Sequence, residues 1–155
     1  MTIFGKPYSE YVRYQWPFLV ALVVVGLIRL VLSISGQPDF FVKYFSVTVV
    51  GIIGSLYYAF TVRRSGFGSY RQLIPLIFNQ NFIINGIAIL GIILSIQGLR
   101  NIYDVPEFKP PFARDGSSLG HALAHLFAGN IIGTLMGWGI TSLFMAIGGG
   151  RKPNN

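Results

Sequence analysis

LIPLIFNQNFIINGIAILGIILSIQ, residues 73–97, decides the fold: the whole run carries no charged side chain. Wound as a helix it extends roughly 37 Å, at about 1.5 Å per residue, which exceeds the ~30 Å hydrocarbon thickness of a bilayer. The run shows no alternation of polar and apolar positions and no turn signals about every ten residues, so a β-barrel is disfavoured.

Three further stretches repeat the pattern on either side. Residues 16–35 are broken only by Arg29, and residues 40–62 carry Lys43 near their start. Residues 121–147 lie inside an uncharged segment from Ser117 to Gly150. The expected fold is therefore all-α, an integral membrane protein with four transmembrane helices in an up-down bundle. A single membrane domain over residues 1–155 accounts for the chain.

Composition agrees with this reading. The chain is 52% hydrophobic and 11% charged, where a soluble domain carries about 25% charged residues. A soluble enzyme and a disordered tail are excluded by that balance. Cysteine is absent, which removes disulfide scaffolds, thiolate metal sites and cysteine nucleophiles. The first apolar run, with Lys6 and Arg13 before it and Ser33-Ile34-Ser35 near its end, resembles a secretion leader in outline. It is longer than the usual apolar core of about 7–15 residues and is interrupted by Arg29, so a retained span is expected.

Charge sets the expected orientation. The side holding the N-terminus carries Lys6, Arg13, Arg63, Arg64, Arg71, Arg151 and Lys152 against Glu10 alone. The other side carries Arg29, Lys43, Arg100, Lys109 and Arg114 against Asp39, Asp104, Glu107 and Asp115. Basic residues collect on the cytoplasmic side, so both termini are expected there, in a prokaryotic inner (plasma) membrane. The net charge of +7 then reads as a topology signal with attraction to anionic lipid headgroups, not as a nucleic-acid surface.

The connections are short except one. A tight turn near Gly36 makes the first two spans an antiparallel pair. The basic, glycine-rich loop from Arg63 to Arg71 is expected to anchor at headgroups; it lacks the strand and the Lys-Ser/Thr of a phosphate-binding loop. The outer loop, residues 99–118, contains three prolines that forbid regular helix, with Tyr103, Phe108 and Phe112 as interfacial rings. Ser117 or Ser118 is placed to cap the fourth helix. Pro75 is compatible with the first turn of the third.

Four groups of residues are candidates for function. Gly129, Gly133 and Gly137 recur every four residues and Thr141 extends the row. Small residues at this spacing let two helix backbones approach closely, and the neighbouring helix lies either in this chain or in another subunit. His121 and His125 continue the spacing one turn apart, as a metal pair would, or as ligands of haem iron or chlorophyll magnesium. Counting back from Ile147 puts both beyond the outer hydrocarbon edge, which favours hydrogen bonds to water, headgroups or the proline-rich loop.

The third span carries Asn79, Gln80, Asn81 and Asn85, with Asn130 on the fourth. Amides in lipid seek partners, so this cluster reads as structural glue or, alternatively, as a polar path. Asn79 to Asn85 fall in the inner half of their span and Asn130 in the outer part of its own, a mismatch that disfavours pairing between them. Arg29 is the one intramembrane charge, close enough to Gly36 to snorkel outward and pair with Asp39.

Catalytic groups are missing: no His-Glu-x-x-His, no oriented Ser–His–Asp set, no acidic residue in the apolar body of a span. The expected function is a non-catalytic accessory or structural subunit that packs against other transmembrane helices, or against its own kind, in a membrane complex. No cofactor is required by this reading. The alternatives are a haem-, chlorophyll- or metal-binding electron-transfer or light-harvesting subunit using His121 or His125, and a small oligomeric transporter or channel.

Overall fold

A computed structural model describes residues 1–103 and 118–148. Four helices long and apolar enough to cross a membrane are present among them: Tyr8–Ile34, Asp39–Arg64, Tyr70–Ile96 and Ser118–Gly148. The chain opens with a hairpin not anticipated from the sequence, β1 (Thr2–Ile3) antiparallel to β2 (Lys6–Pro7). Its two turn residues, Phe4 and Gly5, both have positive φ, the geometry of a tight two-residue hairpin turn. Helix α1 (Tyr8–Ile34) follows directly.

Helix α2 (Asp39–Val42) is a single turn, and Ser46 then starts α3 (Val47–Arg64) by accepting from the backbone N–H of Val49 at 3.3 Å. Helix α4 (Tyr70–Ile96) begins three residues earlier than the apolar run. The backbone N–H of Ser69 donates to Gln72 Oε1 at 2.8 Å, and Gln72 Nε2 donates to the Phe4 carbonyl at 3.0 Å. One glutamine thus fixes the helix start and holds the hairpin to it. Because of the early start, Pro75 lies beyond the first turn, inside α4, rather than within it.

The last span is α5 (Ser118–Ala124), one π turn (His125–Gly129) and α6 (Asn130–Gly148). Ser118 is its first helical residue, and Ser117 lies outside the described residues. The π turn widens the carbonyl ladder, and the Asn130 side chain fills the gap. Its Nδ2 donates to the Leu126 carbonyl at 2.9 Å and to that of His125 at 3.4 Å. At the other end, Arg64 Nη2 donates to the Gly148 carbonyl at 3.1 Å, satisfying an acceptor that α6 leaves unpaired.

Helices α3 and α4 form a central pair, with α1 and α6 each packed against both. Lateral contacts give the directions. Tyr14 Oη on α1 donates to Thr61 Oγ1 on α3 at 3.0 Å, pairing the start of one with the end of the other. Helix α4 is the most enclosed of the candidate spans. Large apolar side chains such as Val31, Ile52, Ile132, Leu143 and Ile147 point outward instead.

A core of Tyr11, Tyr58, Leu73, Leu76 and Met145 sits at the end where the hairpin and the α3–α4 loop meet. Phe67 is drawn into it, stacked on Tyr14 at 4.0 Å and edge-on to Tyr11 at 5.4 Å. The glycine-rich loop therefore folds its aromatic ring back onto the bundle. The outer-loop positions Asp104, Glu107, Phe108, Phe112 and Asp115 lie outside the described residues.

Candidate functional site

The glycine row of α6 meets the amide row of α4 in a repeating register. A Cβ at Gly129 would lie 2.5 Å from Asn85 Oδ1, one at Gly133 would lie 3.3 Å from Asn81 Nδ2, and one at Gly137 would lie 2.8 Å from Ile77 Cγ2. Moving four residues along one helix moves four back along the other, as antiparallel neighbours require. Each missing side chain on α6 is thus occupied by a side chain of α4. Thr134 and Thr141 are buried on the same helix, and Asn81 Nδ2 donates to Thr134 Oγ1 at 3.4 Å.

Asn130 does pair with Asn85, against the depth argument from sequence: Asn85 Nδ2 donates to Asn130 Oδ1 at 3.3 Å. The reason lies in the helix bounds. With α4 starting at Tyr70, Asn85 stands past its middle, and Asn130 stands at the matching height above Gly148. Asn79, in contrast, is at the far end of the cluster and accepts from Tyr8 Oη at 2.7 Å. Gln80 faces α3, accepting from Ser55 Oγ at 3.3 Å, and its Nε2 rests against Gly54. The four amides of α4 therefore split among three neighbours: α1, α3 and α6.

His125 joins this network. Its Nδ1 lies 2.8 Å from Asn85 Oδ1, so the histidine bonds to the bundle where sequence depth had assigned it to water or headgroups. His121 is also buried, with its ring centroid 5.0 Å from that of His125. The surrounding bonds fix the proton. Asn85 Nδ2 donates to the Asn81 carbonyl at 2.9 Å, and a carbonyl only accepts. The amide atom facing His125 is then the oxygen. In the neutral ring His125 carries its proton on Nδ1, and Nε2 keeps a lone pair.

Two hollows follow one another along α6. The first, about 340 Å³, lies between α3 and α6 over a floor of α4, with Ser55, Gln80, Asn81 and Thr141 among its polar lining. The second, about 390 Å³, is an open groove lined by His121, Ala124, His125, Ala128, Gly129, Ile132, Gly133 and Met136. Gly137 lines the first and Gly133, one turn away, lines the second. Among the described residues no three His, Asp or Glu side chains cluster as a metal site.

Arg29 departs from the expected pairing with Asp39. Its guanidinium stands 5.3 Å from the centre of the Tyr103 ring, and the ion pair found among the described residues is Lys6–Glu10 at 2.9 Å. Several buried polar residues escaped the sequence reading, Gln15 and Tyr58 among them. Gln15 and Tyr58 are fully enclosed, and the Gln15 amide has no hydrogen-bond partner among the described residues. Gln15 falls in phase with Tyr11, Leu19, Leu22 and Leu30 on the buried stripe of α1, a signal that helical spacing alone carries.

No protein family, no curated protein and no solved structure matches this chain.

Proposed function

We propose that this chain is a non-catalytic subunit of a membrane complex, spanning the bilayer four times with both termini in the cytoplasm. Its α6 face receives a transmembrane helix of a neighbouring subunit. The observation that carries this is the half-covered ridge. Gly129 and Gly133 are only partly enclosed by α4, and the groove beside them is open. Ile132 and Met136 line that groove and stay 54% and 62% exposed.

Lipid tails are as apolar as leucine, so helices in a bilayer associate through close packing and occasional hydrogen bonds. A trough floored by Ala128, Gly129 and Gly133 lets a second backbone approach α6 from the side that α4 leaves free. The basic residues of the cytoplasmic side, Arg13 and Arg64 among them, add attraction to anionic headgroups.

The cysteine-free sequence makes the test clean. Single variants Ile132→Cys and Met136→Cys are oxidatively cross-linked in native membranes beside Val24→Cys and Ile53→Cys, which are exposed on α1 and α3. Adducts from the α6 pair alone support the reading, and their mass separates a second copy from a different subunit. Equal adducts from all four positions, or none, refute it.

A further inference from the structure

The hollow between α3 and α6 differs from the groove beside it: three helices bound it, and its polar groups are sorted by chemistry. Arg64 Nη2 on the Gly148 carbonyl and Phe60 against Gly148 hold α3 to α6 at one end. Farther along, Gly51 and Gly137 help leave a space of about 340 Å³ over α4. That is near the lower end of the roughly 300–1,000 Å³ range of small-molecule sites. Ile52 and Ile140 line it and stay 54% and 55% exposed, so it opens sideways between the two helices.

Acceptors outnumber donors in its polar lining. Ser55 Oγ spends its one proton on Gln80 Oε1 at 3.3 Å, so this hydroxyl can only accept from a ligand. Gln80 Nε2 lies against Gly54, which does not line the hollow. Asn81 Nδ2 donates at 3.4 Å to Thr134, also outside the lining, and Oδ1 is left without a hydrogen bond among the described residues. Thr141 is 1% exposed, and its hydroxyl has no partner among the described residues.

Depth restricts the ligand further. Ser55 stands midway between Val47 and Arg64, about 12–14 Å from either end of α3. In the four-span arrangement proposed above, that is close to the bilayer midplane. A charged phospholipid headgroup does not reach this depth, and none of the lining residues is charged. A neutral ring with an apolar tail does reach it. Its hydroxyl protons satisfy the acceptors, Ile77, Ile84 and Phe144 supply apolar wall, and the tail leaves between Ile52 and Ile140.

We propose that the hollow bounded by α3, α4 and α6 binds the ring of a lipid-soluble hydroquinone, with Ser55, Asn81 and Thr141 as its hydrogen-bond partners. The inference uses the bilayer-spanning part of the proposed function but not helix docking at Ile132 and Met136, so hydroquinone binding and cross-linking can fail separately.

Purified full-length protein in lipid nanodiscs is titrated calorimetrically with decylhydroquinone, with decylbenzoquinone and with decanol, against empty nanodiscs. The expected result is one hydroquinone per chain, bound about tenfold more tightly than the quinone, which lacks the protons that the acceptors need. Decanol, with a hydroxyl but no ring, binds more weakly than the hydroquinone. Ile140→Trp closes the mouth from an exposed position and abolishes binding, whereas Ile53→Trp, exposed on α3 outside the lining, keeps it. Thr141→Val weakens the hydroquinone about tenfold. In the unaltered protein, a hydroquinone carrying a photoreactive diazirine labels residues 51–56 and 137–144, a readout that needs no variant to fold. Labelling elsewhere, quinone or decanol binding as tight as that of the hydroquinone, or binding intact in Ile140→Trp overturns the proposal.

Discussion

Gly129→Ala puts the packing of α4 against α6 to a quantitative test. The new methyl carbon would stand 2.5 Å from Asn85 Oδ1, 3.1 Å from Cγ and 3.3 Å from Nδ2, so the amide must move. Asn85 is short and tied three ways, to the Asn81 carbonyl, to Asn130 and to His125. Two of these bonds join α4 to the last span, and each interhelical bond of this kind contributes about 0.6 kcal/mol in a membrane. Overpacking a filled site adds about 1–3 kcal/mol. Alanine returns about 0.5–1 kcal/mol through its better helix propensity. The expected net loss is about 2 kcal/mol.

Gly86 supplies the control, because a Cβ there meets nothing within 4 Å. Gly86→Ala should gain about 0.5–1 kcal/mol from propensity alone. Gly133→Ala, with its nearest neighbour at 3.3 Å, falls between the two. Reversible unfolding in mixed micelles, followed by circular dichroism against the mole fraction of denaturing detergent, reads all three. The reasoning is refuted if Gly129→Ala proves as stable as Gly86→Ala, since the amide would then not fill the notch.

Two more predictions concern the outer end and the orientation of the chain. Burial holds the Tyr103 phenol above the ordinary tyrosine range, and the Arg29 guanidinium offsets part of that rise. A raised folded-state pKa contributes stability below the unfolded value of about 10 and loses it as pH climbs further. Thermal unfolding between neutral and strongly alkaline pH should therefore decline less steeply in Tyr103→Phe, and an unchanged slope would exclude the effect. Thr2→Cys and Asn155→Cys should both react with an impermeant thiol reagent only after the cytoplasmic face is opened. Labelling from opposite faces would remove the up-down arrangement on which the groove assignment depends.

Much of the architecture is legible because its cause is local. Four uncharged or nearly uncharged runs are each long enough to cross a membrane, and runs of that kind satisfy their backbone groups in lipid only by forming helices, so the number and order of long helices can be read from them. Helical phase also selects the right faces: Gly129, Gly133 and Gly137 do form one ridge, and Asn81 and Asn85 do share the side of α4 that meets it. Helix ends are less legible. Ser69 and Gln72 carry α4 one turn past the apolar run because capping is polar chemistry, invisible to hydropathy. That single turn shifts the height of Asn85 enough to reverse the conclusion about Asn130.

Sequence by itself determined how many long helices form, which residues stand in line on each, and that glycines and amides would be the unusual features among them. Only tertiary structure decided what meets what. Period and composition describe one helix at a time, whereas the match of Asn85 to Gly129 depends on the axial offset between two helices. That offset is set jointly by caps, a π turn and side-chain volume across the contact. The protonation of His125 is the furthest consequence: it follows from three carbonyl-anchored bonds converging from two separate spans, and no reading of either span alone contains it.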